Sequence, residues 1–262
     1  MSLKDLLHQA ERAAIAGGLV IRTGMPDAPR TAKGAGDYVT DVDRESERVI
    51  EATLAGGSDI PVVGEESGGA VADRYWLVDP LDGTTNFVHR FPAVGVSIAL
   101  IDEGRPTIGV VHAPFLDQTY LAAKGGGAFM RTSHGDSARL RVSSRPVHES
   151  IIATGFPFRN KDLIPRHLAM LERCLELFED LRRPGAASLD LAWVAAGVFN
   201  GFFELGLSSW DVAAGGFLVE EAGGRVSDWD GGLDYLKGNI LAGSPAVHAG
   251  LAAAAAEATP PS

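Results

Sequence analysis

The stretch WLVDPLDGTTNF, Trp76 to Phe87, decides the reading of this chain. An apolar run ends in Asp79. Pro80 then imposes an extended local path, because its ring locks φ and biases the residue before it. Asp82 stands three residues after Asp79, and Gly83-Thr84-Thr85 comes next. Two carboxylates on one tight turn, beside backbone amides that can face an anion, suit a divalent cation and a phosphate together. The pattern points to metal-assisted phosphate chemistry.

Working outward, two more acids stand where an element should end or begin. Glu65 closes the apolar run Pro61-Val62-Val63 in GEES, and Asp211 opens a helical pattern in SSWDVAAGG. If Glu65, Asp79, Asp82 and Asp211 converge, like charges share one pocket, and some must take up protons unless a counter-charge is present. Hard divalent cations resolve that conflict, since Mg²⁺ takes oxygen ligands. The chain offers no cysteine or histidine cluster for zinc. Taken singly, Asp211 reads first as a helix cap, and Glu65 as readily as a surface loop as a ligand.

Periodicity supplies the frame. Helices are expected over 3–20, from about 41 to 54, over about 162–179 and 188–198, over 210–222 and over 245–257. Residues 23–38 read as a loop, and Asp41 or Asp43 as the N-cap of the helix that follows, with Val42, Ser46, Val49, Ile50, Thr53 and Leu54 as its buried stripe. Strands are expected at 61–63, 75–79, 94–101, 107–112, 118–123, 126–130, 151–154, 201–205 and 239–242. Asp102-Glu103-Gly104-Arg105 marks a hairpin, and Gly125-Gly126-Gly127 a turn. Gly223-Gly224 is a natural helix stop. Hairpins in the middle with helices at both ends give a mixed α+β fold in layers. One domain, 1–262, fits this length, with lobes at 1–145 and 146–257 and a tail at 258–262; a chain of this size buries roughly 70–75% of its unfolded surface.

Composition narrows the function classes. Lys plus Arg is 23 and Asp plus Glu 34, a formal net charge of −11, which argues against a nucleic-acid surface. No apolar run reaches the roughly 18 residues of a membrane span. MSLKDLLHQAERAA carries charges where a secretory signal needs an apolar core, so a cytoplasmic location is expected. The single cysteine, Cys174, sits in an amphipathic helical pattern as a buried thiol.

DPLDGTTNF, GEES at 64–67, DYVTDVDRESE at 37–47 and WDVAAG at 210–215 lie in an order that resembles the inositol monophosphatase family of Mg²⁺-dependent, lithium-sensitive phosphatases. The resemblance implies a layered α-β-α-β-α sugar-phosphatase fold and two to three Mg²⁺ ions. It implies that Glu65, Asp79 and the Leu81 carbonyl hold one ion, that Asp79, Asp82 and Asp211 hold a second, and that a weaker third lies near Glu65. Thr84 would pair with Asp43 and, with Glu65, orient a metal-activated water for in-line displacement. Asp82, Gly83, Thr84 and Asp211 would also contact substrate, and Gly185, Ala187 and Glu204 would meet the alcohol ring. Taken alone, Gly185-Ala186-Ala187 also reads as a helix start needing small residues, and Glu204 as a strand-end acid in solvent.

The resemblance implies release of phosphate from myo-inositol 1-phosphate. Thr85-Asn86 after the core motif favours that branch over nucleotide-bisphosphate phosphatases, which usually carry Lys-Glu there, and fructose-bisphosphatases, which tend to carry Ser-Ser-Asn. Broader sugar-phosphate, fructose 1,6-bisphosphate or histidinol-phosphate hydrolysis stays open. So does a regulatory binding protein on the same scaffold, since some relatives partner the transcription machinery; the intact acid set speaks against a purely non-catalytic role. A homodimer is implied by the resemblance alone. Lys33 lies where related sequences carry a basic residue near the metal pocket and also reads as a loop lysine in solvent; Arg182 and Arg183 could face a phosphate or a partner subunit or stand exposed, Glu66 and Asp41 flank the candidate ligands, and His89 reads as packing or capping.

Overall fold

The computed structural model describes residues 1–24, 30–34 and 37–258, with the side chains of 30–34 and 37–39 excepted. Its elements in chain order are α1 (Leu3–Thr23), β1 (Arg30–Gly34), β2 (Asp37–Thr40), α2 (Asp41–Ala55), β3 (Val62–Gly64), β4 (Arg74–Asp82), α3 (Thr84–Val88), β5 (Gly95–Asp102), β6 (Arg105–Ala113), β7 (Gln118–Ala123), β8 (Gly127–Arg131), β9 (Ser137–Arg139), β10 (Ile151–Thr154), α4 (Ile164–Leu177), β11 (Asp180–Arg182), α5 (Ala187–Ala195), β12 (Gly201–Glu204), α6 (Ser209–Glu221), β13 (Arg225–Ser227), β14 (Ile240–Gly243) and α7 (Pro245–Glu257).

Two mixed sheets organise the molecule. The larger runs β3-β4-β5-β6-β7-β8-β9, parallel only between β3 and β4. The smaller runs β11-β10-β12-β14-β13. Strand alternation decides what each face meets. Trp76 and Val78 of β4 pack with Leu6, Ala10, Ile50 and Leu54 of α1 and α2. Leu77, between them, points the other way, into a core with α5, α6 and the smaller sheet. The outer face of the smaller sheet buries Met170, Cys174, Leu251 and Ala254 of α4 and α7. The order of layers is therefore helix, sheet, helix, sheet, helix, as the family resemblance implied. Among the described residues no helix is long and apolar enough to cross a membrane.

Several local expectations change. The loop over 23–38 contains the antiparallel pair β1–β2; residues 25–29 and 35–36 lie outside the described residues, as do the Lys33 side chain and, beyond Ala258, the expected tail. The N-cap of α2 is Thr40, not Asp41 or Asp43. Its hydroxyl accepts the Val42 N–H at 3.2 Å, and Asp43 at the third helical position accepts the Thr40 N–H at 2.8 Å. That reciprocal box satisfies donors at both ends of the turn. Within the expected stripe, Val42, Ser46, Ile50 and Leu54 are buried, whereas Val49 and Thr53 are only half-buried. The helix near 162 begins as α4 at Ile164, after a single 3-10 turn.

The tight turn expected at Asp79–Asp82 is a continuation of β4. Asp79 pairs with Ser97 and Asp82 with Gly95, so three steps on β4 face two on β5. The extra residue is a bulge at Pro80-Leu81, where proline, lacking an N–H, is tolerated. The bulge has a functional consequence. Residues three apart on a regular strand point to opposite faces. Here both acids oppose residues two apart on β5, so both carboxylates reach the same face.

Candidate active site

Leu77 and Asp79 alternate onto the same side of β4, so Asp79 faces the middle helical layer. There α6 arrives with its N-terminus, tied to the sheet by Ser97 Oγ, which donates to the Trp210 carbonyl at 3.0 Å. Ser208 is the N-cap of α6, and its N–H donates to Asp211 Oδ2 at 2.7 Å. Asp211 is thus the third helical residue rather than the cap, and it points at Asp79. Oxygens of Asp79, Asp82 and Asp211 lie within 4.8 Å of one another.

Electrostatics follow from that crowding. Asp79 is 1% exposed, and burial, then the charges of Glu65, Asp82 and Asp211, push its carboxyl far above the usual range. Burial raises Asp82 to about 6, against two donors from Ser188. Asp211 rises to about 7, from burial first and Asp82 second. Such a cluster is held together either by shared protons or by cations. All its ligand atoms are hard oxygens, the donor set of Mg²⁺ or Ca²⁺ rather than zinc. The residues present therefore fit the metal that the resemblance implied.

The other expected residues gather around the same cleft, about 600 Å³ in volume. Glu65 lines it, its own N–H bonded to the Val78 carbonyl at 3.1 Å. Leu81 also lines the cleft, while its side chain belongs to the core beneath α1 and α2. Gly83, at φ +91°, starts α3. The Thr84 hydroxyl has one proton and two acceptors in reach, Asp43 Oδ1 at 3.0 Å and the Leu81 carbonyl at 3.2 Å. The carboxylate is the stronger acceptor. Burial raises the Asp43 carboxyl, opposed by its bonds to Thr40 and Thr84.

The far wall comes from the second half of the chain. Gly185 takes φ +92°, Ala187 opens α5 and Glu204 ends β12, and all three line the cleft. Glu204 is buried rather than solvated, and burial with the Asp211 charge lifts it to about 8. Arg183 lies on this wall, its guanidinium 5.6 Å from the Phe156 ring centre and 5.5 Å from that of Phe158. Arg182 instead pairs with Asp180 in solvent. Asp41 is exposed and pairs with Arg44; exposed His89 terminates α3.

Three contributors had no signal in the sequence. Ser188 donates its N–H at 2.7 Å and its hydroxyl at 2.6 Å to Asp82 Oδ2. Asp190, one turn of α5 from Ala187, is 1% exposed and its carboxyl is pushed far up by burial. Phe156-Pro157-Phe158-Arg159, after β10, forms the rim.

Comparison with known proteins agrees with this geometry. The model of the inositol monophosphatase family matches residues 2–260. A Nus factor SuhB of Escherichia coli is 43% identical over 254 residues, covering 94% of this chain and 93% of that protein. The extragenic suppressor protein suhB of Bartonella henselae has a crystal structure that superposes with a TM-score of 0.89 at 36% identity, covering 96% of this chain and 98% of that one. An IMPase of Thermotoga maritima follows with a TM-score of 0.86 at 30% identity, covering 97% and 98%. The chain belongs to the inositol monophosphatase family.

Proposed function

We propose that this protein is a Mg²⁺-dependent phosphomonoesterase whose preferred substrate is myo-inositol 1-phosphate. The observation that carries the reading is the convergence of Asp79, Asp82 and Asp211 oxygens within 4.8 Å of one another, in a cleft that Glu65 and Thr84 also line. Glu65, Asp79, the Leu81 carbonyl, Asp82 and Asp211 would hold the ions. Mg²⁺ supplies, when bound, a lowered water pKa and neutralisation of phosphoryl charge.

The chain's own residues do the rest. Thr84 donates its hydroxyl hydrogen bond to Asp43, so its oxygen is left to accept from a water and to fix that water's orientation beside Glu65. The amides of Gly83 and Thr84 open α3 and suit a phosphate. Glu204 and the small residues Gly185 and Ala187 leave room for a polyol, whose hydroxyls Glu204 can bind. Lithium sensitivity and a homodimeric assembly belong to the same reading.

Asp82→Asn tests it. The substitution keeps the shape and removes one charge of the cluster. Phosphate release from inositol 1-phosphate is expected to fall at least 100-fold, with the melting temperature of the metal-free protein unchanged or raised. Near-wild-type turnover at saturating Mg²⁺ would refute the metal assignment. Fructose 1,6-bisphosphate and histidinol phosphate in the same assay decide the substrate.

A second reading, a regulatory binding protein, is favoured by the name Nus factor carried by relatives 43% identical to this chain. The same Asp82→Asn protein separates the two. Retained association with RNA polymerase after loss of hydrolysis would support a role independent of catalysis.

A further inference from the structure

Glu47 is an acid that no part of the reaction uses, yet it is 3% exposed, one turn along α2 from Asp43. A buried carboxylate needs donors. Glu47 Oε2 accepts the Glu66 N–H at 2.9 Å, and Oε1 accepts the Ser67 N–H at 2.7 Å. Both donors belong to the turn that carries Glu65. That turn is closed by reciprocal backbone bonds between Gly64 and Gly68, at 2.9 and 3.0 Å. Gly64 leaves space for the carboxylate, since a Cβ there would stand 2.4 Å from Glu47 Oε2.

The rest of α2 holds the opposite wall. Asp43 binds Thr84, and Ser46 Oγ donates to the Pro80 carbonyl at 2.9 Å, on the bulge between Asp79 and Asp82. One helical face, Asp43, Ser46 and Glu47, therefore grips both acidic segments of the site.

We infer that Glu47 is a positioning residue that sets where Glu65 stands relative to Asp79, and so tunes affinity for the ion they share. The inference rests on the metal-dependent reading above. A charged acceptor of two N–H groups holds the turn more stiffly than a neutral one. A glutamine keeps the shape but offers one acceptor oxygen, and its NH₂ opposes the second N–H.

The test compares Glu47→Gln with wild type in the full-length protein. Three readouts are taken: Mn²⁺ binding by electron paramagnetic resonance, hydrogen exchange at the Glu66 and Ser67 amides, and the Mg²⁺ dependence of phosphate release. Glu47→Gln is expected to weaken binding of one Mn²⁺ at least fivefold, to speed exchange at both amides, and to raise half-saturating Mg²⁺ similarly, with kcat at saturating Mg²⁺ within about twofold. Glu51→Ala, which removes the outer bond from Ser67 Oγ at 2.9 Å, should leave Mn²⁺ affinity unchanged. Should Glu47→Gln fail to fold, Gly64→Ala displaces the same carboxylate and is expected to show the same loss. Faster exchange with unchanged Mn²⁺ affinity would overturn the positioning role, as would an equal loss in Glu51→Ala. Wild-type protein that binds no Mn²⁺ would instead refute the metal site itself.

Discussion

A methyl group at Gly155 would stand 2.1 Å from Glu204 Oε2. Glu204 lines the cleft, so a methyl at Gly155 would drive its carboxylate into the space proposed for the polyol. On the proposed function, Gly155→Ala should therefore raise KM for inositol 1-phosphate roughly tenfold, while half-saturating Mg²⁺ stays at the wild-type value, because the candidate ligands Asp79 and Asp82 stand on β4 across the cleft. Steady-state kinetics with varied ester and varied Mg²⁺ check this; an unchanged KM would remove Glu204 from the alcohol pocket. Glu65, Asp79, Asp82 and Asp211 stood out in the sequence because each lies near the end or the start of an element; Asp190, inside α5, did not. The supports of these acids did not either. Ser188 reaches Asp82 across 106 positions of chain, and Asn86 reaches the Pro184 carbonyl across 98. Nothing local distinguishes such a serine from any other at a helix start. The spacing of Asp79 and Asp82 was visible, but the reason it works, a bulge that turns both to one face, depends on the partner strand.

At the scale of elements, α4 anchors the rim of the cleft. His167 is 1% exposed, and neither ring nitrogen finds a partner among the described residues. Its ring meets Phe156 edge-on at 5.4 Å between centres and Phe203 tilted at 5.6 Å. Phe203 precedes Glu204 on β12, so this stack ties rim, helix and strand together. Burial holds the imidazole neutral, with its pKa down at about 4. A polar ring without partners carries a desolvation penalty of about 1–3 kcal/mol that a phenyl ring avoids. His167→Phe is expected to raise the melting temperature, and His167→Ala to lower it by removing the stack and leaving a cavity. Calorimetry of both variants decides; equal destabilisation would mean that the nitrogens, not the ring, hold the position. The long elements here were readable because eight or more residues show their period. Strands β9, β11 and β13, three residues each, show none, and they were missed. Their places are fixed by neighbours in the sheet.

Across the whole molecule, the site stores like charge that opposes folding when no metal is bound. Glu204 at about 8, Asp211 at about 7 and Asp82 at about 6 all lie above ordinary carboxylate values. Between roughly pH 4 and 8 the metal-free folded state therefore binds more protons at these groups than the unfolded chain, and stability falls as pH rises. The buried histidines act oppositely. His112 and His167, both at about 4, bind fewer protons when folded, so they add stability as pH climbs towards the ordinary histidine value near 6.5. Below that value the two effects compete; above it only the acids titrate. In EDTA, the melting temperature is thus expected to drop between pH 6.5 and 8.5. Cations that neutralise the cluster should restore it, by an amount growing with pH, at about 2–4 °C per kcal/mol for a chain of this size. Scanning calorimetry across that range, with and without millimolar Mg²⁺, measures the gap directly. A Mg²⁺ stabilisation of constant size from pH 6.5 to 8.5 would mean that the ions do not displace protons from Asp82 and Asp211. A gap that widens in wild type but stays flat in Asp82→Asn would locate the proton–metal competition at this cluster.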